Sequence, residues 1–113
     1  MSPAFEFNQL MEEIHKTAVE KGWWENEDRN FGELIALCHS ELSEAFEEYR
    51  DGHDLKEIYF VNDKPEGVPI ELADILIRLF DFCYHLDLPL YEAMLIKMKF
   101  NEGRPYRHGG KKA

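Results

Sequence analysis

Carboxylates recur at a spacing of three in two separate segments of this chain. Glu41 and Glu44 form one pair, and Glu71 and Asp74 form the other. On a helix, residues three apart lie on the same face, so each pair points two carboxylates in one direction. Two such pairs facing each other would present four hard oxygen ligands, the donors that suit Mg²⁺ or Mn²⁺ better than zinc. The spacing therefore predicts a divalent-cation site whose remaining ligands are water and phosphate.

The segments that carry these pairs otherwise have the composition of core helices. Leu37 falls in the same helical sector as the acids of the first segment, and the second segment is apolar around most of its circumference. One polar stripe interrupts the second segment, formed by Glu71, Asp74, Arg78, Asp81 and His85. Buried charges are costly unless they are paired or bind a metal, so we expect the two acidic edges to face each other across a cation. Arg78, four residues after Asp74, is expected to pair with it, with contact to phosphate as the alternative. Glu47 and Glu48 are either extra ligands or part of a solvated face.

The spacing of apolar residues predicts four helices in a single all-α domain covering residues 1–113. They span about 5–21, 31–50, 69–86 and 89–102, and a basic tail follows at 103–113. The motif IYFV in the loop before the third helix is the one candidate strand. Four helices of this length cannot cover the third helix on every side. We therefore expect a homo-oligomer, a homodimer or homotetramer, held together by intersubunit helical bundles.

The composition and charge argue against nucleic-acid-binding, membrane-spanning and secreted proteins. The 113 residues carry a net charge of -10, which argues against nonspecific nucleic-acid binding. No apolar run approaches the roughly 20 residues that a membrane-spanning helix needs, and the N-terminus lacks a signal-peptide pattern. Cys38 and Cys83 lie in apolar helical segments and have no metal-binding spacing, which is typical of reduced core cysteines. We therefore expect a cytoplasmic protein that does not bind membranes.

Three stretches resemble the MazG-like nucleotide pyrophosphohydrolases of the all-α NTP pyrophosphatase superfamily. They are HSELSEAFEE, PIELADILIRLFD and KMKFNEGRPYRHGGKK. The family signature is EExxE, a spacer and ExxD. Ser40 stands where the first glutamate would be, and the other four positions match. The resemblance implies that a nucleoside triphosphate, preferentially a dNTP, is hydrolysed between its α and β phosphates to the monophosphate and pyrophosphate. It also implies a house-cleaning role in the nucleotide pool.

The resemblance further implies roles for individual residues. Mg²⁺, or Mn²⁺ in its place, would be held by Glu41, Glu44, Glu71 and Asp74, with Glu41 or Glu44 as the catalytic base. The substrate-binding candidates are Lys97, Asn101, Arg104 and Tyr106 for the phosphates and sugar, and Trp23 and Trp24 for the base. Favourable cations at a helix C-terminus and packing of the tryptophans in a core or oligomer are the competing explanations. The substitution by Ser40 also leaves open a catalytically silent helical module that binds a nucleotide or a protein partner.

Overall fold

The computed structural model describes residues 2–26 and 29–112, and these form mostly helices. The elements are α1 (Pro3–Glu20), α2 (Phe31–Arg50), β1 (Tyr59–Val61), β2 (Lys64–Glu66), α3 (Val68–His85), α4 (Leu90–Glu102) and the four-residue α5 (Arg107–Gly110). The four predicted helices are confirmed, and their ends agree within two residues. The IYFV motif supplies β1 as expected, whereas β2 and α5 were not predicted. The described chain is therefore consistent with an all-α class, with one added hairpin.

Local sequence signals determine where the helices begin and end. The Ser2 hydroxyl accepts a hydrogen bond from the backbone in the first turn of α1, and the Asn30 side chain does the same for α2. The predicted stop of α2 at Asp51-Gly52 is confirmed. Gly52 has φ 90, and the amide of His53 donates back to the carbonyl of Glu48 at 3.2 Å.

The β1–β2 hairpin directly precedes α3 in the chain. β1 and β2 are antiparallel and are joined by Asn62 and Asp63, which both have positive φ, 51 and 68. These angles are those of the tight turns that suit two-residue hairpins. Gly67 follows with φ 122, and a Cβ atom there would lie 2.4 Å from the carbonyl oxygen of Glu57. Only glycine fits this position, so the hairpin is held close against the preceding loop.

Helix α3 lies between α1 and α2 and contacts both. Its inward side chains join a core formed by Met11, Leu34, Cys38, Phe82 and Cys83. Both cysteines are free and buried, as expected, and burial raises the pKa of each thiol. Burial around the whole of α3 is not observed within one chain, because Leu72, Leu76 and Ile77 are about half exposed.

The chain is more extended than its length requires. Its radius of gyration is 16.9 Å, whereas a compact domain of this size has about 13 Å. Helix α4 packs against α1 and buries none of its own residues. Within residues 2–26 and 29–112, we find no helix with the length and apolar character needed to cross a bilayer. Large apolar side chains of α2, α3 and α4 consequently remain on the surface.

Candidate metal centre

Three of the four predicted acidic ligands meet between α2 and α3. Glu41, Glu44 and Glu71 each offer a carboxylate oxygen, and these oxygens lie within 4.8 Å of one another. Glu41 and Glu71 are buried, whereas Glu44 is exposed at the edge of the group. The two helices thus bring the predicted pairs together, and the i, i+3 spacing places Glu41 and Glu44 on the face of α2 that meets α3.

Glu71 is the least solvated of these acids. It is 7% exposed, and its Oε2 has no hydrogen-bond partner among the described residues. The pKa of Glu71 is raised to about 8, chiefly by desolvation. Hydrogen bonds with Glu44 and Glu41 and repulsion by the charges of Glu44 and Asp74 contribute to this rise. A buried, unpaired carboxylate oxygen is costly without a compensating cation or proton. The surroundings of Glu71 therefore favour a bound cation or, in the metal-free protein, a proton.

Asp74 lies near this group without belonging to it. It is half-buried on α3, one turn after Glu71. Burial raises the pKa of Asp74, the negative charges of Glu41 and Glu44 raise it further, and Arg78 opposes them. The predicted cage of four acids is therefore a close group of three with Asp74 beside it.

Arg78 pairs with a different acid from the one expected. Its Nη2 lies 3.0 Å from Oε1 of Glu41, and its Nε donates to the same oxygen at 3.1 Å. The expectation that Arg78 pairs with Asp74 is therefore wrong. Spacing on α3 favoured Asp74, four residues earlier, but the packing of α3 against α2 brings Glu41 within reach of the guanidinium. Both contacts use Oε1, which leaves Oε2 of Glu41 for another ligand.

A second group of acids adjoins the first and shares Glu71 with it. Oxygens of Glu48, Glu66 and Glu71 lie within 4.8 Å of one another. Glu48 comes from the last turns of α2 and Glu66 from β2. The Tyr59 hydroxyl on β1 donates to Glu48, lying 2.8 and 3.0 Å from its two oxygens, and this bond raises the pKa of Tyr59 to about 12. Sequence reasoning missed Glu66, because only the hairpin fold brings it to the helices.

A cavity of about 530 Å³ opens beside Asp74 and Arg78. Apolar side chains of α1, α2 and α3 supply much of its wall, including Leu10, Ile14, Leu34, Ile77 and Phe82. Trp23 also lines it, and Trp23 is 62% exposed. An apolar cavity with an exposed indole at its wall and charged groups at one side suits a flat, polar-edged ligand.

Trp24 does not line this cavity and is occupied by protein groups. Its indole Nε1 donates to both carboxylate oxygens of Asp81, at 2.9 and 3.1 Å. His85 stacks on the ring at a centroid distance of 3.6 Å, and the Arg29 guanidinium lies 4.3 Å from the ring centroid. The Nδ1 of His15 also lies 2.8 Å from Asp81. These contacts give Trp24 a structural role, and of the two tryptophans Trp23 is the one placed to meet a ligand.

The other predicted substrate-binding residues lie apart from the acids. Lys97 and Asn101 are exposed on α4, and Arg104 and Tyr106 follow it. The Lys97 ammonium lies 4.8 Å from the ring centroid of Phe100, and the Arg104 guanidinium lies 5.5 Å from it. Among the described residues, no hydrogen bond or ion pair joins any of these four to the acidic groups. Their predicted contact with phosphate stays a prediction.

The residues present fit the predicted divalent cation. All donors are carboxylates, one of them carries a buried oxygen without a partner, and Arg78 neutralises only one of the acids. Hard oxygen donors of this kind suit Mg²⁺ or Mn²⁺. Comparison of the chain with protein-family models, curated proteins and solved structures finds no match.

Proposed function

We propose that this protein is a Mg²⁺-dependent nucleoside triphosphate pyrophosphohydrolase. It hydrolyses its substrate, preferentially a dNTP, between the α and β phosphates and so removes triphosphates from the nucleotide pool. One observation carries the proposal. The oxygens of Glu41, Glu44 and Glu71 lie within 4.8 Å of one another, with a buried unpartnered oxygen on Glu71, beside a cavity of about 530 Å³.

The acids would bind the metal ion, and one of them would also accept a proton. Glu41, Glu44, Glu71 and Asp74 would hold Mg²⁺ (or Mn²⁺ in its place), which when bound supplies Lewis acidity and charge neutralisation at the phosphates. Glu44 is exposed, and it is the better candidate for the base that accepts a proton from the attacking water. Glu41 is less available for this step, because the Arg78 guanidinium occupies its Oε1.

The cavity gives the nucleoside a place next to the phosphates. Trp23 offers an aromatic face on which any nucleobase can stack, and the apolar wall offers it further contact. Asp74 and Arg78 line both this cavity and the acidic centre. A nucleotide with its base in the cavity would therefore direct its phosphates towards the acids.

The proposal includes self-association as a homodimer or homotetramer. Leu42, Phe46 and Tyr49 lie along one face of α2, and each is more than half exposed. Leu72 and Leu76 of α3 are also about half exposed, and a second copy would cover exposed apolar side chains of these two helices. Association would also allow Lys97 and Asn101 to reach the acidic centre of a neighbouring chain.

The test is product release from the eight standard NTPs and dNTPs, with Mg²⁺ and with EDTA. Wild type should release monophosphate and pyrophosphate in equal amounts, only with the metal. Glu44→Gln should abolish the release, because it removes both a ligand and the base. Glu47→Gln is the matched control, because Glu47 is an exposed neighbour on α2 whose partner is Arg50.

The outcomes separate the proposal from its alternative. Release of inorganic phosphate in place of pyrophosphate would contradict cleavage between the α and β phosphates. Metal-dependent nucleotide binding without any turnover would identify a catalytically silent module on the same scaffold. The ion pair between Arg78 and Glu41 is the observation that favours that alternative, because it engages one of the ligand oxygens.

A further inference from the structure

We propose that Glu48, Glu66 and Glu71 form a second divalent-cation site that shares the carboxylate of Glu71 with the first. The oxygens of these three acids lie within 4.8 Å of one another. Glu71 takes part in both groups, and a carboxylate has two oxygens with which it can bridge two cations. The site is a hard-oxygen one, suited to Mg²⁺ or Mn²⁺.

The buried oxygen of Glu71 points to a ligand independently of the number of acids. Glu71 is 7% exposed, and its Oε2 has no hydrogen-bond partner among the described residues. Buried polar atoms of native proteins nearly always have a partner, and an unsatisfied one calls for an explanation such as a bound ion. Glu41 and Glu44 share one group with this carboxylate, and Glu48 and Glu66 share the other.

Glu48 is held in place by groups that are not themselves ligands. The Tyr59 hydroxyl lies 2.8 and 3.0 Å from its two oxygens, and the ring of His53 stacks on Tyr59 at a centroid distance of 4.7 Å. His53 also lies within 3.5 Å of Glu48, and its other ring nitrogen lies 2.8 Å from Glu57. Supporting hydrogen bonds of this kind orient metal-binding carboxylates. The Glu48 carboxylate is therefore fixed before any cation binds.

The hairpin explains how Glu66 reaches the helices. Glu66 ends β2 and pairs with Tyr59, so both side chains belong to the same register position of the hairpin. Gly67 then turns the chain into α3 through a backbone that a side chain would obstruct. Lys64 contacts one oxygen of Glu66, Oε1, at 3.3 Å. The other oxygen of Glu66 remains for a cation.

Charge balance agrees with two cations. The two groups and Asp74 contain six carboxylates, and the permanently cationic side chains paired with them are those of Lys64 and Arg78. His53, beside Glu48, adds a positive charge only when it is protonated. With all six carboxylates ionised and His53 neutral, four negative charges remain, which two divalent cations would neutralise. The chemical role of the second cation rests on the proposed function: a second metal ion held by Glu48, Glu66 and Glu71 would add charge neutralisation for the attacking water and the departing pyrophosphate. The existence of the site does not rest on it.

The experiment is a count of bound Mn²⁺ per chain, by calorimetric titration of the full chain and by loss of the free-Mn²⁺ electron paramagnetic resonance signal. Wild type should bind two Mn²⁺. Glu66→Gln should bind one, Glu44→Gln should bind one, and Glu71→Gln should bind none. Glu47→Gln, the exposed neighbour of Glu48, should bind two. Circular dichroism of each variant checks that the helices are retained, and Glu48→Gln provides a second variant of the new site.

The two proposals can fail separately. A wild-type count of one, or an unchanged count of two in both Glu66→Gln and Glu48→Gln, would overturn the second site. If nucleotide hydrolysis persists in that case, the proposed function stands. Conversely, two bound Mn²⁺ with the expected loss in Glu66→Gln, but no hydrolysis of any nucleotide, would establish the site and leave the proposed function without support.

Discussion

Replacing Glu71 with glutamine should stabilise the metal-free protein at alkaline pH while it abolishes metal binding. The structure shows why. Glu71 is buried beside Glu41 and Glu44, and desolvation with these neighbours raises its pKa from 4.5 to about 8. Glutamine has the same shape and stays neutral, and its amide can donate a hydrogen bond to the acids that an ionised Glu71 would repel.

The sign of the pH dependence follows from the protons bound in each state. In the unfolded chain Glu71 loses its proton near 4.5, whereas in the fold it keeps the proton until about 8. Between these values the folded state binds more protons, so the free energy of unfolding falls as the pH rises. At about 1.4 kcal/mol for each pH unit, the full penalty is on the order of 5 kcal/mol. That is a large share of the roughly 5–15 kcal/mol that stabilises a typical domain.

The assay is urea denaturation at pH 5 and pH 9 in EDTA, with wild type, Glu71→Gln and the control Glu12→Gln, an exposed residue of α1. We expect wild type and the control to lose several kcal/mol between the two pH values. Glu71→Gln should lose much less, although the raised pKa values of Asp74 and His53 leave it a residual slope of the same sign. At pH 9, Mg²⁺ should stabilise wild type, by about 2.7 kcal/mol at one hundred times its Kd, and leave Glu71→Gln unaffected.

Two results would refute this reasoning. One is a wild-type stability in EDTA that stays constant or increases from pH 5 to pH 9. The other is a pH dependence in Glu71→Gln equal to that of wild type, which would show that Glu71 does not carry the penalty. In either case the acids of α2 and α3 would have to be better solvated than their burial indicates.

Three further predictions concern other parts of the fold. Trp24→Phe should lower the free energy of unfolding by about 1–3 kcal/mol in urea denaturation, because Asp81 loses a buried donor. Trp23→Ala should leave stability nearly unchanged but weaken nucleotide binding about 5- to 150-fold in calorimetry, from a stacking loss of about 1–3 kcal/mol. Equal effects of the two variants on both measurements would contradict these separate roles. Gly67→Ala should lower the midpoint of thermal unfolding by several degrees in calorimetric scans, because φ is 122 and the added Cβ would lie 2.4 Å from a carbonyl oxygen. An unchanged midpoint would show that the hairpin can shift. Phe46→Glu should reduce the mass measured by sedimentation equilibrium to that of one chain, because it charges the exposed apolar face of α2; an unchanged mass would exclude that face from the interface.

Sequence periodicity was sufficient to predict the helices and the meeting of the acidic pairs. Apolar spacing identifies the buried face of each helix, and acids on the edge of two such faces are brought together when the faces pack. The same reasoning identified the end of α2 at Asp51-Gly52, because a glycine after a helix accommodates a positive φ. These are properties of one helix at a time, which sequence spacing describes directly.

The features that depend on how elements approach one another could not be predicted in this way. Arg78 was assigned to Asp74 by spacing on α3, but its partner Glu41 comes from α2. Glu66 lies outside the predicted helices and joins the site only through the hairpin. Trp23 and Trp24 are adjacent in sequence, and only the fold shows that one lines the cavity while the other bonds to α3.

The bonds of Asp81 also have a consequence for the order in which the protein folds. This carboxylate contacts His15 and Trp24, which precede it by 66 and 57 residues. Packing α1 against α3 closes a loop of that length at a cost of roughly 3–4 kcal/mol of chain entropy, so we expect these bonds to form no earlier than that packing. Loss of Asp81 should therefore accelerate unfolding and leave the folding rate nearly unchanged. Since Trp23, Arg29 and Asp81 all line the cavity, its wall is completed late in folding and is among the first parts to open.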